Sequence, residues 1–232
     1  MLHRLNIEWP SLSIDFVCKD SPFNMQHQEF EEMTKYPYEV YTVQGSSNNT
    51  KNNSIYLTKW NRLHKTRYDD DPDVEGDEQD DDIANDDEAK VLVQEIETTF
   101  NINRLRTLNS SPIVSYWNDQ GEIHIMDLTK NYEKLKNDIG TKKKERCANS
   151  EIVLQSDTEG FGLAWNPHKI GQLVTGNCSG QVEIFDNNES YTAWKKSAHY
   201  TYHKGSVEDI VFSPVEPTVF ATCKFFSYLR FI

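Results

Sequence analysis

Cysteine is scarce in this chain, and Cys18, Cys147, Cys178 and Cys223 show no paired spacing. That argues against a disulfide framework and against a structural zinc site, and it predicts buried thiols in a reducing compartment. Cys178 and Cys223 fall in or beside comparable strands of two successive repeats. No stretch approaches the roughly 18 continuous apolar residues of a membrane span. Met1-Leu2-His3-Arg4-Leu5 lacks the apolar core of a secretory signal. Gly160 and Gly162 flank a strand start without completing G-x-G-x-x-G, so no nucleotide loop is indicated. His199 and His203 lie four apart, but strand-rich surroundings do not put them on one helical face, and nothing completes a metal site. No nucleophile motif accompanies any His or Asp. The expectation is a non-enzymatic protein with no cofactor, no metal and no membrane partner.

Positive charge is missing altogether from one segment. Residues 69–88 hold Asp69, Asp70, Asp71, Asp73, Glu75, Asp77, Glu78, Asp80, Asp81, Asp82, Asp86, Asp87 and Glu88, with no Lys or Arg. Those 13 charges equal the formal net charge of −13 for the whole chain, so the remainder is balanced. Mutual repulsion keeps such a run too polar to pack, and residues 69–90 read as an acidic disordered loop. The loop would attract cationic partners at long range and repel phosphate, which disfavours nucleic acid as a direct ligand. A solubilising insertion with no partner is the competing reading. The Asn-rich stretch near residues 48–53 reads as a second solvated loop, and its sequon Asn48-Asn49-Thr50 as incidental.

What is abundant is short, alternating apolar runs that recur. Gly162–Pro167 reads G-L-A-W-N-P, and 47 residues later Asp209–Pro214 reads D-I-V-F-S-P. Leu173–Gly176 is answered by Phe220–Cys223, and Val182–Phe185 by Leu229–Ile232. Gly121–Asp127 likewise matches Gly180–Asp186, the additional length lying in the charged segment Lys130–Ser150, read as a loop. Runs at Ser11–Val17, Tyr38–Val43, Ile55–Trp60, Ile102–Leu108, Ile113–Trp117 and Glu122–Leu128 carry the same period-2 pattern. A period of about 40–50 residues built from such strands marks β-propeller blades. Four units follow: 11–60, 100–155, 160–200 and 205 onward, the last stopping inside its third strand at Ile232. The expectation is an all-β chain divided into 1–68, 69–90 and 91–232, an incomplete arc of about three and a half blades. Trp9, Trp117 and Trp165 are expected to pack in cores or blade interfaces. Lys142-Lys143-Lys144 with Arg146 reads either as an import signal or as a solvated loop.

The ordering of motifs resembles the glutamate-rich WD-repeat family. Trp9-Pro10-Ser11-Leu12 opens the first strand, and Asn61-Arg62-Leu63-His64-Lys65-Thr66 precedes the acidic run. Glu159-Gly160-Phe161-Gly162-Leu163-Ala164-Trp165-Asn166-Pro167, Thr175-Gly176-Asn177-Cys178, Ser206-Val207-Glu208-Asp209-Ile210 and Thr218–Cys223 follow. The resemblance implies a seven-bladed WD-repeat β-propeller that escorts a basic ribosomal protein of the large subunit before assembly. It implies a nuclear and nucleolar location, with the cytoplasm as a further one. Trp-Pro-Ser-Leu is also found in histone-binding WD-repeat cousins, which makes core histones the alternative partner. His203 and Asp209 stand where WD repeats place a His and an Asp that fix blade geometry by hydrogen bonds. Pro167 and Pro214 close the matching strands. The family's Asp between second and third strands is replaced by Gln120, Ser179 and Phe226.

Overall fold

Alternating apolar side chains fall on one face of a pleated strand, and neighbouring strands must bury that face together. The computed structural model describes residues 5–17, 38–48, 52–63, 89–109, 111–140, 145–146, 151–188, 190–224 and 228–231. Sheet one runs β1 (Ser11–Phe16), β2 (Tyr38–Ser46), β3 (Asn53–Leu63) and β4 (Lys90–Thr98). Sheet two runs β5 (Ile102–Thr107), β6 (Ile113–Asn118), β7 (Glu122–Asp127) and β9 (Glu151–Gln155). The two-residue β8 (Glu145–Arg146) pairs parallel to β4 and so belongs to sheet one. Sheet three holds β10 (Gly160–Trp165), β11 (Leu173–Asn177), β12 (Val182–Asn187) and β13 (Trp194–Tyr200). Sheet four holds β14 (Val207–Phe212), β15 (Phe220–Lys224) and β16 (Tyr228–Phe231).

Apart from β8, every pairing is antiparallel between neighbours in the order given. The first strands stack in sequence, β5 on β1, β10 on β5 and β14 on β10. Four sheets laid face to face in this way form an open arc of a WD-repeat β-propeller. The repeat survives at single-residue register. Leu163 faces Thr175 and Trp165 faces Leu173, as Ile210 faces Thr222 and Phe212 faces Phe220. A register shift recurs near the start of every first strand, between Ser11 and Ser13, Ile102 and Arg104, Gly160 and Gly162, and Val207 and Asp209. Such bulges bend the strand and increase its twist.

Each sheet interface has its own core among the described residues. Val43, Ile55, Leu57 and Ile96 of sheet one meet Leu105, Val114 and Met126 of sheet two. Trp117 and Ile123 meet Leu163, Trp165 and Phe185 at the next interface. Val174 and Val182 meet Val207, Ile210 and Phe212 at the third. The outer face of β1 is bare, with Leu12, Ile14 and Phe16 each about 60% exposed.

The structure corrects three expectations. The first unit does not end near Trp60, because β4 completes it from beyond the acidic insertion, Trp60 pairing with Val91 and Thr58 with Val93. Lys90 is therefore strand rather than loop. Lys130–Ser150 is not wholly loop, because Thr129–Lys136 forms helix α1. Its Asn131, Tyr132 and Leu135 are buried, and it packs on β3 and β4. Lys59, 2% exposed, pins the following turn to sheet one through Asp138 at 2.8 Å and Glu39 at 3.2 Å. Cys178 and Cys223 are free and only partly buried. Cys178 lies in the turn after β11, and Cys223 one residue from the end of β15, where cover from the neighbouring sheet thins.

Gly160 shows how tightly the sheets approach. A Cβ there would run into the Gly176 carbonyl oxygen and come within 2.8 Å of the Trp117 ring. Overpacking of this kind costs about 1–3 kcal/mol. Gly160→Ala is expected to lower unfolding stability by that amount in a urea melt, with the far-ultraviolet spectrum of the folded state unchanged.

Candidate partner-binding surfaces

The acidic residues Asp69 through Glu88 lie outside the described residues, but their attachment points do not. β3 ends at Leu63 and β4 begins at Lys90, and Asn61 pairs with Lys90. The insertion thus leaves and re-enters sheet one at neighbouring points on one end of the sheet. Lys142, Lys143 and Lys144 also lie outside the described residues.

The blade residues are placed as follows. Trp9 is half-buried just ahead of β1, while the carbonyl of Pro10 accepts from Ser47 N at 2.8 Å. Trp165 is 6% exposed and donates from Nε1 to the Arg106 carbonyl at 3.2 Å, crossing from sheet three to sheet two. Trp117, fully buried, crosses the same interface to the Gly162 carbonyl at 2.8 Å. Pro167 and Pro214 follow the ends of β10 and β14, half-buried and exposed respectively. His203 is buried, and its Nε2 lies 2.7 Å from Thr222 Oγ1 on β15. Asp209 is exposed; its Oδ1 accepts from Ile210 N and stands 4.0 Å from Arg104 and Arg106. The two residues expected to act together thus meet different partners, Thr222 for one and the arginines for the other.

Sequence reasoning missed the residues that shape the turns between second and third strands. Asn118 Oδ1 accepts from Gln120 N and Glu122 N, both at 2.9 Å. Asn177 Oδ1 accepts from Ser179 N and Gln181 N at 3.1 and 3.0 Å. Gly121 and Gly180 then adopt φ of +81° and +86°, a region that favours glycine. The shared N-x-x-G of Asn118–Gly121 and Asn177–Gly180 was the available signal, and an Asn side chain folding onto later backbone N–H groups is its physical meaning.

A charged cluster on sheet two was also missed. His124 on β7 lies between Glu151 Oε1, 2.6 Å from Nδ1, and Glu122 Oε2, 2.9 Å from Nε2. Its ring stacks on Tyr116, centroids 4.8 Å apart, and the Tyr116 hydroxyl donates to Glu151 at 3.1 Å. Burial pushes the imidazole pKa down, but hydrogen bonds to Glu151 and Glu122 outweigh it and hold the pKa above the ordinary range. The same hydrogen bonds to His124 hold both carboxyls below theirs. Among the described residues no group of three or more His, Cys, Asp or Glu is placed to hold a metal ion. No helix among them is long and apolar enough to cross a membrane.

Successive four-stranded antiparallel sheets joined by tryptophans across their interfaces define a protein of the WD-repeat β-propeller class. Within it, the chain is 33% identical to glutamate-rich WD repeat-containing protein 1 of Dictyostelium discoideum, across 96% of this chain and 46% of that protein. It is 29% identical to ribosome assembly protein rrb1 of Schizosaccharomyces pombe, across 96% of this chain and 45% of that one. Histone acetyltransferase type B subunit 2 of Aspergillus oryzae is 31% identical over 56% of this chain and 29% of its own. Residues 1–64 match the family of the histone-binding protein RBBP4 and its counterpart in the CAF1 complex. The resemblance to glutamate-rich WD-repeat proteins read from the motifs therefore holds. The chain spans about half the length of the first two relatives.

The His124 cluster has a pH signature. A raised imidazole pKa contributes stability that is complete below the ordinary imidazole value and is lost as pH rises through the raised one. The lowered carboxyls contribute stability present above the ordinary carboxylate value and lost as pH falls through the lowered ones. The cluster is thus worth most between about pH 4.3 and 6.5. Urea melts from about pH 6 to 8 are expected to show stability declining with pH in the parent protein and a flatter profile in His124→Gln.

Proposed function

We propose that this chain is a non-enzymatic WD-repeat scaffold that serves as a chaperone in ribosome biogenesis. In this reading it escorts a basic ribosomal protein of the large subunit to pre-ribosomes, in the nucleus and nucleolus. The acidic stretch 69–88 attracts the cargo and a propeller face holds it. One observation carries the reading: 13 acidic and no basic residues lie within 20 positions, inserted into a chain otherwise balanced in charge. A run of that density raises the local concentration of a cationic protein and speeds encounter, most strongly at low salt. It also repels RNA phosphate, so the escort competes with RNA for the cargo without binding RNA itself. The relatives named for ribosome assembly and for glutamate-rich WD repeats support this reading.

A second reading, binding of core histones, is favoured by the match of residues 1–64 to the histone-binding family and by the histone acetyltransferase subunits among the relatives. Both cargoes are basic, and the long-range electrostatics serve either one. A pull-down that offers core histones and large-subunit ribosomal proteins together separates the two readings.

Deleting residues 69–88 is expected to slow association with the basic cargo about tenfold at low salt and to flatten the salt dependence of the on-rate, as read by stopped-flow fluorescence. Association rates that match the parent's at every salt concentration would remove the acidic stretch from the mechanism.

A further inference from the structure

Where sheet one faces sheet two, a cleft of about 440 Å³ opens among Glu97, Thr98, Phe100, Tyr116, His124 and Glu151. It lies at the far end of β4 from Lys90, about 26 Å along the strand from where the acidic insertion joins. Thr98 is 6% exposed, and its Oγ1 has no hydrogen-bond partner. An unpaired hydroxyl so deeply buried is rare in folded proteins and calls for a reason. Carboxylates stand around it. Glu97 and Glu151 line the cleft, and Glu122 stands behind His124. One imidazole shared by Glu122 and Glu151 carries at most a single positive charge, so three carboxylates leave the cleft anionic by at least two.

We propose that this cleft takes the cationic end of a lysine or arginine side chain from a basic polypeptide segment. The inference rests on the reading above that the partner is a basic protein. An ammonium brings three donors and a guanidinium five, which suits a site rich in acceptors that holds an unpaired hydroxyl. Phe100 and Met126 supply apolar wall for the aliphatic stem. The Tyr116 face is occupied by His124, leaving Phe100 as the aromatic partner for a cation. Phosphate and carboxylate ligands are repelled by the same charges.

The test uses the full chain titrated with octalysine and octaarginine, with an uncharged peptide as control, by calorimetry and by the nuclear magnetic resonance signal of the His124 ring. Thr98→Val is expected to weaken binding by about three- to tenfold without lowering the melting temperature, because it removes a hydroxyl that has no partner in the free protein. Glu97→Gln is expected to weaken it about tenfold at low salt. The His124 signal should shift on binding in the parent and in the deletion of 69–88. The two peptides distinguish ammonium from guanidinium, and preference for either supports the cleft. If both point variants bind like the parent and His124 does not move, the cleft is overturned. In that outcome, weaker binding by the deletion variant would leave the acidic segment's role standing. If the point variants weaken binding and the deletion does not, the cleft stands and the acidic segment's role falls.

Discussion

The interaction on which the other features rest is the packing of one twisted sheet face against the next. No single sheet here encloses a core. Apolar side chains from two sheets meet at each interface, so burial is shared between neighbours and stability accumulates along the arc. Close approach is what makes that burial effective. Gly160 leaves room for the Trp117 ring, and Trp117 and Trp165 each send an indole N–H to a carbonyl of the facing sheet. These indole bonds fix the relative height of sheets two and three as well as their separation. Between sheets one and two, Ser13 and Asp15 do comparable work, reaching the backbone of Leu105 and Thr107.

Charge is segregated from this packing. The acidic run joins sheet one at one end of adjacent strands, whereas the His124 cluster and the Thr98 cleft sit near the other end of β4. The first is solvated, dense and long in range. The second is partly buried, short in range and geometrically defined. A basic partner meeting both would be drawn in by the first and oriented by the second. The bare face of β1 is a different kind of surface, apolar through Leu12, Ile14 and Phe16, and continues the way every other sheet face in the arc is used.

Much of the fold was legible in the residues because each strand declares itself locally. Leu12, Ile14 and Phe16 alternate with Ser11, Ser13 and Asp15, and that alternation alone locates β1. The match of Gly162–Pro167 to Asp209–Pro214 predicted equivalent settings for Trp165 and Phe212, and their pairing registers are equivalent. β4 was illegible because a strand that completes its sheet across the acidic insertion has no neighbouring turn to announce it. Helix α1 hid within a charged segment, since only Tyr132 and Leu135 give it an apolar face. His203 and Asp209 were paired by family pattern, yet a hydrogen bond depends on where side chains point, and Thr222 is what lies against His203.

Periodicity, repeat spacing and charge density belong to the chain itself. They determined that this protein would be a series of small sheets interrupted by an anionic tether, because each is a property of residues close together in sequence. Tertiary structure alone decided that Val91 and Val93 would pair with Trp60 and Thr58, that His124 would sit between Glu122 and Glu151, and that Thr98 would be buried without a partner. Those outcomes depend on which remote groups arrive at a given point in space. Folding settles that through packing, and local pattern does not encode it.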